Sequence, residues 1–157
     1  MRVSVQEADF DVGAETEALA AGRPEVGAVA SFVGYVRADK LAGASAADQA
    51  VSAMTLEHYP GMTAKSLEAI VAEAESRWSL LGVRVIHRFG RLVPGDRIVF
   101  VGVAGSHRGE AFAACEFIME YLKTRAPFWK KEDTPEGGRW VDAREADDAA
   151  AEKWGQA

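Results

Sequence analysis

The residues best suited to chemistry lie in the last third of the chain. Lys123, Arg125, Lys130 and Lys131 crowd around the aromatic pair Phe128–Trp129, and His107–Arg108 stand upstream at the start of a predicted helix. Cations gathered in this way suit the binding of an anion. Ser106 is a candidate N-cap, which would put His107 and Arg108 in the first helical turn. A helix start carries unpaired N–H groups and a partial positive charge, so two further cations there are unfavourable unless an anion binds or both side chains turn into water. Lys123 flanks the predicted apolar stripe of the same helix, Ala111, Phe112, Cys115, Ile118, Met119 and Leu122. It is either an amine held in a partly desolvated pocket or a snorkelling lysine paired with Glu116 or Glu120. If 128–133 is extended, Lys130 and Lys131 take opposite faces. Phe128 and Trp129 offer flat rings that can hold a planar ligand or cover core.

The elements that must position these groups follow from periodicity. Residues 2–6 alternate as a short strand, and 14–21 read as a short helix ended at Gly22-Arg-Pro24. Residues 26–36 are apolar on both faces and read as a buried strand, with Arg37 at its exit. Residues 38–50, rich in Ala, Gly, Ser and Asp, read as a flexible loop. A strand follows over 51–59. Thr63 is the expected cap of a helix over 64–80, closed by Gly82. Residues 83–92 and 97–104 read as an antiparallel hairpin about a Pro94-Gly95 type II turn. The lysine-bearing helix then runs to Pro127. An extended stretch, a Pro135–Gly138 turn, Arg139-Trp140-Val141 and an acidic C-terminal helix or tail over 143–157 capped by Asp142 complete the chain. Strands and helices mix without a βαβ rhythm, which favours an α+β fold in a single domain over 1–157.

Bulk properties narrow the function. The chain has 157 residues, 48% hydrophobic and 27% charged, with a net charge of −6. This acidity argues against a general nucleic-acid or anionic-membrane binder, while leaving room for a local basic pocket. No apolar run reaches a membrane span and the N-terminus lacks a signal-peptide pattern, so a cytoplasmic location is expected. The single cysteine, Cys115, permits no internal disulfide and reads as core packing. His58 and His87 each sit on an apolar face without a second ligand at metal spacing, and read as core or surface histidines. No metal or cofactor is expected, because no metal-spacing motif, P-loop, GxGxxG or GxSxG is present.

Six blocks carry a family resemblance: Gly-Ala-Val-Ala-Ser-Phe-Val-Gly-Tyr-Val-Arg (27–37), Thr-Leu-Glu-His-Tyr-Pro-Gly-Met (55–62), Val-Ile-His-Arg-Phe-Gly (85–90), Pro-Gly-Asp-Arg-Ile-Val-Phe-Val-Gly-Val (94–103), Phe-Ile-Met-Glu-Tyr-Leu-Lys-Thr-Arg-Ala-Pro-Phe-Trp-Lys-Lys-Glu (117–132) and Arg-Trp-Val-Asp-Ala-Arg (139–144). In this order they resemble the large, catalytic subunit of molybdopterin synthase, the MoaE family. The resemblance implies an α/β hammerhead fold with an additional antiparallel β subdomain, and a homodimer within a heterotetramer. It implies a small ubiquitin-like sulfur-carrier partner whose C-terminal Gly-Gly tail ends in a thiocarboxylate. The implied substrate is cyclic pyranopterin monophosphate, which receives two sulfurs to form the molybdopterin dithiolene. By motif, Lys123 and Lys130 match the active-site lysines, and Arg37, His107 and Arg108 the basic substrate pocket. Phe32 and Met119 match its apolar walls, and Arg144 an arginine contributed by the other subunit. Against the family's pattern, the loop at 38–50 reads as longer than usual, and Gly105 and Gly109-Glu110 fall in a variable stretch.

Two other classes fit the residues alone. One is a non-catalytic dimeric module binding an anionic peptide tail in the same basic pocket. The other is a cyclic-phosphate hydrolase working without a protein sulfur donor.

Overall fold

The computed structural model describes residues 2–38, 53–58, 61–126, 128–134, 137–141 and 154, with 129–134 and 137–141 described through their backbone. The strand Arg97–Gly105, here β6, lies at its centre. Valines at 99, 101 and 103 face one way and Phe100, Gly102 and Ala104 the other, and all six are buried. Such a strand needs cover on both sides. The first strand Val3–Gln6 (β1), then Ala28–Tyr35 (β2) and Leu80–Arg88 (β4), join β6 in a mixed sheet of order β1-β4-β6-β2. β1 runs parallel to β4, while β4 and β2 run antiparallel to β6.

Two helices cover one face. Met62–Arg77 (α2) brings Leu67, Ile70, Val71 and Ala74, and Arg108–Arg125 (α3) brings Ala111, Ala114, Cys115, Phe117, Ile118 and Met119 against the three valines. The other face is closed by Val12–Ala18 (α1) and its flanks. Phe10 packs on Ile86 and Phe100, and a side chain at Gly102 would meet Leu19 at 2.5 Å. Asp11 caps α1 by accepting from the Ala14 N–H at 2.9 Å.

A second, wholly antiparallel sheet has the order β5-β3-β7-β8, formed by Gly90–Leu92 (β5), Ala53–His58 (β3), Phe128–Thr134 (β7) and Gly137–Val141 (β8). Met54, Leu56 and Leu92 pack with Val36 beneath it. The mixed helix–sheet body with this added antiparallel sheet is the α+β architecture expected from the sequence. Among the described residues, no helix is long and apolar enough to cross a membrane.

Several local expectations are corrected. β2 is an edge strand, so its outer side lacks cover and Phe32 (40%) and Tyr35 (52%) remain exposed. The predicted hairpin holds over β4 and β6, but the chain turns away at Gly90, whose φ of +90° suits glycine, and residues 90–92 pair with β3 instead. The Pro94-Gly95 turn is present, with Gly95 at φ +96° and Asp96 N–H bonded to Val93 O at 2.9 Å. Gly61, at φ +82°, caps α2, and Thr63 is buried inside the helix. α2 ends at Trp78, and Gly82 lies within β4. His107, with extended backbone, replaces Ser106 as the cap of α3. Phe112 leaves the predicted stripe and is 65% exposed. The loop residues 39–50, residues 135–136 of the predicted turn, the Asp142 cap and the C-terminal helix, Trp154 apart, lie outside the described residues.

Candidate active site

α3 is the scaffold of the site. Its alanines and long side chains favour helix, and Pro127 stops it by holding Ala126 extended, at φ −75° and ψ 131°. The Ala126 N–H closes the last turn on Leu122 O at 3.3 Å, and the Phe128 N–H reaches back to Ala126 O at 2.9 Å. The chain therefore passes from helix to β7 in three residues, which keeps positions 123 and 130 on either side of one tight junction.

Lys123 lies in the last turn of α3, where a cation is favoured by the helix dipole. It is exposed, and among the described residues it has no ion-pair partner. The expected pairing with Glu116 or Glu120 is not made. Glu120 instead accepts a hydrogen bond from the Trp154 indole. Arg125 withdraws from the predicted cationic cluster, standing 3.8 Å over the Tyr121 ring and 3.3 Å from Glu73 of α2. Lys130 sits in β7 opposite Leu56 of β3 and Val141 of β8, while Lys131 is opposite Thr55.

The apolar wall residues lie on the α3 side of the main sheet. Met119 is buried one turn before Lys123, and Phe32 is opposite Val101 with its ring above Gly34. Arg37 follows β2 beside the 93–96 turn, anchored there by Val36, which exchanges backbone bonds of 2.9 Å with Asp96 and Gly95. Arg37 is exposed and has an interaction partner. Because α3 runs back along β6, its C-terminal end lies at the same end of the sheet as Arg37.

His107 and Arg108 lie elsewhere. They begin α3 next to Gly105, which pairs with Ala28 at the opposite end of β2. Arg108 and Lys123 are separated by about 22 Å of helix, from the α-helical rise. Both residues are exposed, and His107 makes no capping bond through its side chain. One chain thus divides the sequence-predicted cations into two groups at opposite ends of one helix. Arg144 lies outside the described residues.

The remaining candidates are structural. His87 is buried, its Nδ1 is 2.8 Å from Arg88 O, and its ring stacks on Phe128 at 3.8 Å. Phe128 therefore covers core, and His58 packs on Phe89 at 4.3 Å. Burial, followed by the Glu116 charge, pushes the Cys115 thiol up to about 11, as befits a packing residue rather than a nucleophile. Among the described residues no His, Cys, Asp or Glu cluster could hold a metal ion. Trp154 was missed. A lone tryptophan in an Ala- and acid-rich tail is a signal that could have found its docking on α3.

This combination, a two-helix-covered mixed sheet whose long helix leads directly into a second antiparallel sheet, defines a class already seen in solved structures. The molybdopterin biosynthesis MoaE protein from Burkholderia ambifaria matches with a TM-score of 0.81 and 55% identity, covering 98% of this chain and 97% of that one. The molybdopterin synthase catalytic subunit of Ralstonia nicotianae is 61% identical over 153 residues, 98% of this chain and 84% of the relative. That of Pseudomonas aeruginosa is 57% identical over 154 residues, 98% and 99% of the two chains. The model of the family described as MoaE protein matches residues 5–125. The chain belongs to the MoaE family.

Proposed function

We propose that this chain is the catalytic subunit of a molybdopterin synthase, a sulfurtransferase acting on cyclic pyranopterin monophosphate. The sulfur comes from the C-terminal thiocarboxylate of a small ubiquitin-like partner. The observation that carries the reading is Lys123, an exposed amine at the end of α3 without an ion pair among the described residues, with Lys130 just beyond the helix–strand junction. The family relatives carry the same activity in their names.

The chemistry suits these groups. The thiocarboxylate sulfur bonds to a pterin side-chain carbon as that carbon's C–O bond breaks and the oxygen, once protonated, leaves as water, giving a thioester between tail and substrate. Water then adds to the thioester carbonyl. The C–S bond on the tail side breaks, leaving sulfur on the pterin and a carboxylate on the tail. An oxyanion develops at that carbonyl, and an ammonium aimed at it stabilises the transition state. Lys123 takes this role, and Lys130 supports it or handles the proton. Arg37 attracts the anionic substrate, and Phe32 and Met119 wall the pocket.

The distance between Lys123 and the His107–Arg108 pair supports a homodimer. If all of these residues serve one phosphate-bearing substrate, a second copy must bring its helix start to the first copy's helix end, and Arg144 with it. A two-fold dimer makes both sites equivalent. With one small partner on each copy the assembly is a heterotetramer.

Reconstitution tests the reading. Purified protein, cyclic pyranopterin monophosphate and thiocarboxylated partner should yield dithiolene product, and omission of the partner should abolish it. Turnover without the partner would point to a stand-alone hydrolase, and partner binding without product would point to a peptide-docking module.

A further inference from the structure

His87 joins the main sheet to the second one. It lies in β4 between Val5 of β1 and Val99 of β6, so paired strands hold its backbone on both sides. The residue is 6% exposed, and its Nδ1 donates to the Arg88 carbonyl oxygen at 2.8 Å, since a carbonyl only accepts. The main sheet therefore fixes both the place of this ring and its plane. Phe128 lies flat against it, with ring centroids 3.8 Å apart and planes 20° apart. Phe128 is the first residue of β7, an inner strand of the second sheet.

Phe128 is also where the chain from α3 arrives. Its N–H bonds back to Ala126 O at 2.9 Å, and across the ladder it faces His58, whose ring is 6.1 Å away and packs in turn on Phe89. Residues alternate between the two faces of a strand, so position 130 shares the face of Phe128 and position 131 takes the other. That shared face is the one on which Leu56 of β3, opposite Lys130, is buried. A ring at 128 that came away from His87 would tilt the start of β7 and move position 130 relative to the end of α3.

We propose that His87 is a positioning residue for sulfur transfer: by stacking on Phe128 it fixes the start of β7, and with it the place of Lys130 relative to Lys123. The inference rests on the reading of these two lysines as the amines of the site. His87 acts through Phe128 and never touches substrate. Aromatic pairs favour one arrangement over its alternatives by about two- to tenfold beyond the area they bury, and kcat should fall by about that factor when the flat ring is lost.

The test compares His87→Leu, which keeps apolar volume without a flat ring, with His87→Phe, which keeps the ring between the same strands. Both lose the bond to Arg88 O, so the difference between them isolates the stack. The readouts, on the full chain, are kcat at saturating thiocarboxylated partner, partner affinity by calorimetry, and hydrogen exchange over 126–134 by mass spectrometry. His87→Leu should lower kcat and speed that exchange about two- to tenfold, with partner affinity and exchange over 108–122 unchanged, while His87→Phe should stay within about twofold of wild type. Phe128→Leu, which removes the stack from the other side, should match His87→Leu. Equal losses in His87→Phe and His87→Leu overturn the proposal, as does near-wild-type kcat in Phe128→Leu. Faster exchange throughout the chain in His87→Leu overturns it too, because general destabilisation would then explain the loss. Lys130→Ala is measured alongside. Wild-type turnover by that variant would remove Lys130 from the site, and an exchange difference between His87→Leu and His87→Phe would then still establish that the stack holds the junction.

Discussion

Lys123→Ala separates catalysis from folding, because the structure predicts very different costs for the two. Lys123 is exposed and has no ion pair to lose among the described residues. The substitution gives up a favourable dipole contact in the last turn of α3 and gains some helix propensity. The net change in stability should stay within about 0.5 kcal/mol, as for other surface sites. For a domain of this size that is a Tm shift of about 2 °C or less. Loss of an oxyanion donor, by contrast, typically costs about 10²–10³ in kcat, or about 2.7–4 kcal/mol. Lys123→Arg keeps the positive charge and so the attraction for the tail, yet it should fail nearly as badly, since a guanidinium neither fits the same point nor releases a proton near neutral pH. The assay is single-turnover conversion of cyclic pyranopterin monophosphate at saturating thiocarboxylated partner, with partner affinity measured separately by calorimetry. Near-wild-type turnover by either variant, with Tm and partner affinity unchanged, would refute the assignment.

Three further outcomes are expected. Mixed dimers formed from inactive Lys123→Ala and inactive Arg108→Ala chains should regain a measurable fraction of activity, because one intact site reassembles across the interface; continued inactivity of verified mixed dimers counts against a shared site. Gly27→Ala should destabilise the chain by about 1–3 kcal/mol, as overpacking does, since the added Cβ would stand 2.1 Å from the Ser106 carbonyl oxygen at the start of α3; urea denaturation measures this. With its thiol pushed up to about 11 by burial, Cys115 should resist iodoacetamide in the native protein at pH 8 and react once the chain is unfolded, as read by mass spectrometry.

Much of this site was legible in the linear order of residues. The helix from the His107 region to Pro127, the strand over 97–104, the turn at Pro94-Gly95 and the core role of Cys115 all rest on local preferences, so periodicity and punctuation found them. Helix caps were less legible. Thr63 and Ser106 have good capping side chains, but Gly61 and His107 hold those positions. A cap depends on the direction from which the chain enters, and packing sets that direction.

What the sequence by itself determined is the set of elements, the lysine at the end of a long helix and the ordered blocks that mark the family. Only the tertiary structure decided which charges meet. Arg125 looked like a member of the cationic cluster until α2 brought Glu73 to it from 52 positions away. The family resemblance assigned His107 and Arg108 to the same pocket as Lys123, and within one chain a straight helix holds them about 22 Å apart. Glu120 looked like the partner of Lys123 until Trp154 claimed it from 34 positions away. Propensity acts over a few residues, whereas a side chain's partner is chosen among everything that packing brings within reach.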